Sequence, residues 1–148
     1  MNHSLKVSCR KDKLQNIRNF VHDQLKEYTL SEVTLSQLVL AVDEVCSNLM
    51  IHSHACNPRH SIELTIKVKA GNSITFEICD QGEGFNFHTY QEPCLDEIIK
   101  ARKKGGIGLL LVKRIMDRIE YDYNDETHRN VYRLHKFTNV TQREAVKK

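Results

Sequence analysis

A polar stripe runs along one predicted helix of the chain. Glu44, Asn48 and His52 are spaced by four residues, and at about 100° per residue such side chains climb one side of a helix. Leu40 and Ile51 project in nearly the same direction as Glu44, so a carboxylate and an amide are set among apolar side chains. A glutamate can remove a proton from a hydroxyl group, and an amide oxygen is a ligand that Mg²⁺ accepts. The stripe indicates a base beside a metal ligand; the alternative is an ordinary solvated face.

A second cluster, DQGEG, starts at Asp80 and follows a predicted strand. Asp80 has the same parity as Phe76 and Ile78, so it ends the row of the strand that faces the core. A carboxylate in that position needs a hydrogen-bond donor, and the exocyclic amine of a purine would supply one. Equally open is an aspartate that caps the turn through its own backbone, with Gly82 and Gly84 needed only for positive φ.

A third cluster is the glycine-rich sequence GGIG over residues 105–108, which precedes a predicted helix and follows a basic run over 100–104. Free backbone N–H groups, the positive end of the helix dipole and closely approaching glycine backbone together make an anion site. The alternative is a flexible turn beside a solvated run of charges. The sequence has no GxxxxGK[ST] loop and lacks the third glycine of a dinucleotide fingerprint.

Metal-ligating and nucleophilic residues elsewhere form no comparable pattern. His52, His54 and Cys56 have the right types for zinc, but no second ligand pair has zinc-like spacing, so a structural zinc is not predicted. The five cysteines are odd in number and form no CxxC pair. They are typical of thiols in a reducing cytoplasm and not of a disulfide framework.

The composition bounds the classes of protein to which the chain can belong. Its 148 residues, 40% hydrophobic and 28% charged, predict one domain over 1–148, with a core over about 5–138 and a polar tail over 139–148. The net charge of +3, from 22 basic and 19 acidic residues, is too even to predict nucleic-acid binding. No run approaches about 18 apolar residues, and the first 13 residues are too charged for a signal peptide. We therefore expect a cytoplasmic protein with no membrane contact.

Hydrophobic periodicity predicts the elements that must position these clusters. A short edge strand at 5–7 precedes a helix with apolar residues from Leu14 to Tyr28, and a capping box at 34–37 opens the helix that carries Glu44. A hairpin follows over 62–78, with its turn at 71–72.

A long loop, with a short helix near 96–100, spans 81–104. The helix after GGIG has buried positions from Leu109 to Ile119, and a second hairpin pairs 119–123 with 131–137 across 124–125. Helices and hairpins are segregated along the chain. This order predicts a two-layer α/β sandwich with a mostly antiparallel sheet and helices on one face.

Taken in order, the sequences DEVCSNLMIHSH, ICDQGEGF and GGIGLLLVKRIMDRIEY resemble the N, G1 and G2 boxes of the GHKL superfamily. That superfamily contains gyrase-type ATPases, heat-shock chaperone ATPases, histidine kinases and mismatch-repair ATPases. Within it, the chain is most similar to bacterial anti-sigma regulatory factors that act as serine/threonine-protein kinases. The resemblance extends from about Leu14 to Lys136 and implies the Bergerat fold, the α/β sandwich of histidine-kinase-like ATPases.

The resemblance also implies roles for individual residues, with ATP and Mg²⁺ as cofactors. Glu44 matches the general base, Asn48 the magnesium ligand and Asp80 the carboxylate that binds adenine. The remaining nucleotide-binding positions are two pocket glycines, the basic residues placed near the phosphates by their charge, and the start of the last helix: Gly82, Gly84, Arg102, Lys103, Lys104, Gly105, Gly106, Ile107, Gly108 and Leu109. The short lid fits the anti-sigma group better than gyrase-like relatives.

The resemblance leaves hypotheses from different classes. The first is a kinase that phosphorylates an anti-sigma factor antagonist, sequesters a sigma factor, or does both, and the family resemblance favours a homodimer. The second is a binding module that uses ATP only to order its lid and transfers no phosphate. The third is an ATPase module of a larger sensor complex. The intact Glu44 favours the first, because a protein that only binds needs no base.

Overall fold

The computed structural model describes residues 2–53, 57, 59–81 and 106–143, within which five strands form one sheet and three α-helices pack on it. The elements in chain order are β1 Asn2–Ser8, α1 Leu14–Leu25, α2 Glu32–Asn48, β2 Ser61–Lys69, β3 Ser73–Asp80, α3 Gly106–Ile115, β4 Arg118–Asn124 and β5 Arg129–Phe137. A 3₁₀ turn, Lys11–Lys13, leads into α1, and a π-helical turn, Leu49–Ser53, continues α2.

The sheet has the strand order β1-β2-β3-β5-β4, and every neighbouring pair is antiparallel. The helix-facing side of its central strands is apolar and buried, and is made by Ile62, Leu64, Ile66, Ile74, Phe76, Ile78, Tyr132 and Leu134. The helices cover this side, and α2 packs against both α1 and α3. The predicted two-layer α/β sandwich is confirmed.

The opposite side of the sheet carries polar and charged side chains that pair across strands. Glu77 of β3 is bonded to Lys67 of β2 at 3.0 Å and to Arg133 of β5 at 3.3 Å. Next to this group, His135 bonds both Glu120 and Thr75. One face of the sheet is thus packed on the core and the other is polar, as is common for antiparallel sheets.

The helix that carries the predicted base begins earlier than the capping box at 34–37 suggested. Ser31 is the N-cap, because its Oγ accepts a hydrogen bond from the backbone N–H of Thr34 at 3.1 Å. The prediction of a box opened by Thr34 was wrong, since Thr34 itself lies within the first turn. The extra turn brings Glu32 and Val33 into the helix.

The predicted turn of the first hairpin is confirmed, but three helix ends differ from the prediction: α1 ends at Leu25, so that Tyr28 lies outside it, and both ends of α3 are shifted. The first hairpin turns at Gly71, whose φ of 72° is one that L side chains rarely adopt. The last helix begins at Gly106, inside GGIG, and Ile119 belongs to β4, so its assignment to the helix was wrong. The predicted loop and short helix between 82 and 105 lie outside the described residues.

The segment 138–143, which we call the strap, contradicts the prediction that a polar tail begins at residue 139. Val140 is fully buried, and its carbonyl accepts a hydrogen bond from Gly71 at 2.7 Å. Thr141 exchanges hydrogen bonds with Thr29, and Arg143 N–H donates to the carbonyl of Glu27. The strap therefore ties the first hairpin to the connection between α1 and α2.

The segment Glu32–Ile51 is 20 residues long and, by length and composition alone, apolar enough to cross a membrane. In this fold it is α2 with the turn that follows, and its buried side chains, Leu38, Ala41, Val42, Val45 and Cys46, belong to the core. The absence of a membrane span stays a prediction.

Candidate functional site

The predicted base and metal ligand lie one turn apart near the end of α2. The side-chain Nδ2 of Asn48 donates a hydrogen bond of 2.7 Å to the backbone carbonyl of Glu44. This bond uses the nitrogen side of the amide, so the Oδ1 atom is the side that can coordinate a cation. A π-helical turn begins directly after Asn48, and such turns are frequent at functional sites.

Glu44 lies in an environment that favours its protonated form. Burial raises the pKa of Glu44, and the negative charge of the neighbouring Asp43 raises it further. A carboxylate with a raised pKa is a stronger proton acceptor when it is ionised, which suits a general base acting on a hydroxyl group. Leu40 and Ile51, which the sequence placed near Glu44, are 39% and 38% exposed, so solvent reaches this side of the helix.

Asp43 is paired across the helix layer. Nη1 of Arg18, on α1, lies 2.9 Å from Oδ1 of Asp43, whose side chain is 17% exposed. The pair fixes α1 against α2 at the level of Glu44. Sequence patterns gave no signal for this pair, because its partners are 25 residues apart on different helices.

Asp80 ends β3 on the side of the sheet that faces the helices and is fully buried, as the strand parity predicts. Burial raises the pKa of the Cys46 thiol, and the charges of Asp43, Cys9 and Asp80 add smaller contributions. Asp80 thus lies within electrostatic reach of Cys46, a fully buried core residue of α2. The end of β3 therefore faces the core side of α2.

The third predicted cluster is described only in part. Gly106, Ile107 and Gly108 form the backbone of the first turn of α3, and Leu109 follows as a buried core residue. The first turn of a helix presents free N–H groups, so its backbone suits an anion. The predicted positions that lie outside the described residues are Gly82, Gly84, Arg102, Lys103, Lys104 and Gly105. His54 and Cys56 are also outside them, and His52 is described only as part of the π-helical turn.

Two polar residues beside Asp80 were not predicted. Asn130 lies opposite Asp80 in the pairing of β3 with β5 and is 1% exposed. Tyr121 of β4 donates its hydroxyl proton to Oδ1 of Asn130 at 2.5 Å. The signal was present in the sequence, since Asn130 has the parity of Tyr132 and Leu134 and so occupies a core-facing row.

The donor set is of the kind that a purine nucleotide with a hard cation would require. It comprises a buried carboxylate for the base, an amide oxygen for the metal, a helix N-terminus for phosphate and a carboxylate for proton transfer. Within the described residues, no group of three or more His, Cys, Asp or Glu side chains could hold a metal ion. A magnesium ion on Asn48 would therefore take its remaining ligands from water and phosphate oxygens.

The sheet with helices on one face and a polar site at its end defines an ATPase domain of the histidine kinase type. The family model of the histidine kinase-like ATPase domain matches residues 7–136, and the chain belongs to this family. The family supports ATP binding, typically with Mg²⁺, and kinase-type activity in general. The predicted membership of the GHKL superfamily is thereby confirmed.

A solved histidine kinase structure shares the fold, and a second one is similar over part of the chain. The mycobacterial sensor histidine kinase MprB is 15% identical, with a TM-score of 0.52 over 90% of this chain and 97% of that chain. The histidine kinase domain from Erythrobacter litoralis EL346 blue-light activated histidine kinase is 16% identical, with a TM-score of 0.48. That match covers 69% of this chain and 43% of the other, so this chain corresponds to less than half of that protein. No curated protein sequence matches the chain.

Proposed function

We propose that the protein is an ATP-dependent serine/threonine-protein kinase of the anti-sigma regulatory type, which phosphorylates an anti-sigma factor antagonist. The observation that carries the proposal is Glu44, a part-buried carboxylate with a raised pKa, one helical turn from the Asn48 amide. A base beside a magnesium ligand is what transfer of a phosphoryl group to a hydroxyl requires.

In the proposed reaction, Glu44 accepts the proton of a serine or threonine hydroxyl on the partner as the hydroxyl oxygen bonds to the γ-phosphorus. The bond between that phosphorus and the bridging oxygen breaks, and ADP leaves with the bonding electron pair. Magnesium held by Asn48 would offset the negative charge on the transferring group. Asp80 holds the purine, while the first turn of α3 and the basic residues 102–104 bind phosphate oxygens.

Sequestration of a sigma factor, and assembly as a homodimer in the cytoplasm, belong to the same proposal and rest on the resemblance of the three boxes. The alternative is a module that binds ATP and a regulator but transfers no phosphate. The presence of Glu44 favours the kinase, because a module that only binds has no use for a base.

The test begins with capture of partners from native lysate in the presence and absence of Mg-ATP, followed by assay of labelled γ-phosphate transfer to the captured proteins. Glu44→Gln keeps the side-chain volume and removes the proton acceptor. General-base catalysis contributes about 100- to 10,000-fold, so transfer should fall by that factor while the Kd for ATP changes little.

Glu32→Gln, an exposed change on the same helix, is the matched control and should leave transfer unchanged. Transfer by Glu44→Gln at the wild-type rate would show that Glu44 is not the base. ATP binding without transfer by the wild type to any captured partner would establish the binding module instead. If calorimetry shows no binding of Mg-ATP, both the kinase and the ATP-binding module are excluded.

A further inference from the structure

The helix-facing side of the sheet is apolar except at one end. Among the described residues, the buried polar side chains are Ser73, Asp80 and Asn130. Asp80 and Asn130 lie opposite each other on β3 and β5, so their side chains are close neighbours on the same face. Burying two polar groups at one point of an apolar surface is unfavourable unless they are satisfied, which indicates a specific arrangement.

Tyr121 on β4 is the third residue of this polar row, next to Asn130 on β5 and Asp80 on β3. Its hydroxyl donates to Oδ1 of Asn130, and its ring lies 5.1 Å from the ring of Tyr132. Burial raises the pKa of Tyr121, and the negative charge of Asp80 raises it further. Tyr121 therefore retains its proton over the physiological range and acts as the donor in this bond.

The donor role of Tyr121 fixes which way the Asn130 amide points. Strand β5 lies between β4, which carries Tyr121, and β3, which carries Asp80. Since Oδ1 of Asn130 is bonded to Tyr121 on the β4 side, the NH₂ group is the remaining donor of this side chain, and Asp80 on β3 is its cross-strand neighbour. An NH₂ group that donates to a carboxylate restricts the orientation of that carboxylate.

We infer that Tyr121 and Asn130 are positioning residues that orient the Asp80 carboxylate, and that they thereby set the preference of the site for a purine with an exocyclic amine. This inference rests on the proposed nucleotide site and names the residues that determine its base specificity. Neither residue lies on the helix that carries the metal ligand and the base. We therefore expect them to affect binding of the base and not binding of the phosphates.

The test compares two ligands that differ only in the exocyclic amine, and it compares the wild type with a variant that lacks the hydrogen bond between Tyr121 and Asn130. Binding of ADP and of purine riboside 5′-diphosphate, which has hydrogen in place of the amine, is measured by calorimetry with Mg²⁺ for the wild type and for Tyr121→Phe. The wild type should bind ADP about tenfold more tightly, as expected for a hydrogen bond to a charged group. Tyr121→Phe should reduce that ratio to about threefold or less and leave the affinity for the amine-free ligand unchanged.

Tyr123→Phe is the matched control. Tyr123 lies two residues further along β4 and bonds His128 instead of Asn130, so its loss should not change the ratio. The double variant Tyr121→Phe/Asn130→Ser keeps a hydroxyl donor beside the buried Asp80 carboxylate but lacks the oriented amide, so it should fold and lose the preference even if Tyr121→Phe alone is unstable.

The outcomes separate this inference from the function beneath it. If the wild type prefers ADP, and both Tyr121→Phe and the double variant keep the full preference, the positioning role is wrong. The assignment of Asp80 as the purine-binding carboxylate then still stands. Equal loss of affinity for both ligands in the variants shows a merely structural effect and overturns it as well. A wild type that binds neither ligand, or both equally, overturns the assignment of Asp80 and this inference together.

Discussion

Arg133 on β5 lies opposite Glu77 on β3 on the polar side of the sheet, and its Nε atom is 3.3 Å from Oε2 of that carboxylate. Lys67 approaches the same oxygen from β2 at 3.0 Å, so the three central strands share one carboxylate. Burial alone would raise the pKa of Glu77, but hydrogen bonds to Lys67 and Arg133 and their charges outweigh it and lower the pKa. These ion pairs link β2, β3 and β5 on the polar side of the sheet, whereas the hydrophobic core links the same strands on the helix-facing side.

Glu77→Gln should make stability less dependent on pH. Because the folded-state pKa of Glu77 is lowered, its contribution is present above the unfolded value of about 4.3 and is lost as the pH falls through the folded value. Urea unfolding should show the variant less stable at pH 7, by about 1 kcal/mol or less for a part-exposed pair, and the difference should shrink as the pH falls through the lowered folded-state pKa of Glu77. Glu126→Gln, in the exposed β4–β5 turn, is the control and should show no such difference.

Asn48→Ala tests the metal ligand. Removing an amide that coordinates Mg²⁺ should weaken binding of the Mg-nucleotide by about tenfold or more, and should change binding in EDTA very little. Calorimetric titration under both conditions separates the two effects. Gln37→Ala, an exposed change on the same helix, serves as control. An equal loss with and without magnesium would instead place Asn48 against the nucleotide itself.

Ser31→Ala removes the N-cap of α2. The N–H of Thr34 loses its acceptor, which is typically worth about 1 kcal/mol of unfolding free energy. Ser36→Ala, at an exposed position within the same helix, should be neutral or slightly stabilising because alanine is the better helix former. Denaturant unfolding of both variants measures this difference. A loss at Ser36 equal to that at Ser31 would contradict the capping role.

Val140→Ala tests whether the strap is part of the folded core. Its side chain is fully buried, so truncation should cost about 2 kcal/mol through lost packing and the cavity left behind. Val33→Ala makes the same chemical change at a position that is 68% exposed and should alter stability by less than about 0.5 kcal/mol. If the two changes had equal effects on thermal unfolding, the strap would not be contributing to stability.

Hydrophobic periodicity in the sequence predicted the helices and strands and the side of each element on which a residue lies. The alternation through Phe76 and Ile78 placed Asp80 on the core-facing row, and the spacing of four residues placed Glu44 and Asn48 one turn apart. Each of these depends on contacts within a single element. The cap at Ser31 was missed because a single hydrogen bond outweighed the capping-box pattern three residues later.

Relationships between elements distant in sequence were not predictable from periodicity. The Arg18–Asp43 pair depends on how α1 is rotated against α2, and the Tyr121–Asn130 bond on the register of the last hairpin. Val140 stands alone in a polar stretch, so no repeating pattern marked it as buried. Its burial depends on the path of the chain after β5.

The strap also bears on the order in which the protein folds. It joins Thr141 to Thr29, two residues 112 positions apart, whereas the strands of each hairpin are only a few residues apart along the chain. Closing so long a loop has a larger entropic penalty than closing a hairpin turn, so the strap should dock after the sheet has formed. Interactions made after the transition state change the unfolding rate and leave the folding rate nearly constant. We therefore expect the strap to act as a kinetic latch, so that weakening it would shorten the lifetime of the native protein without slowing its formation.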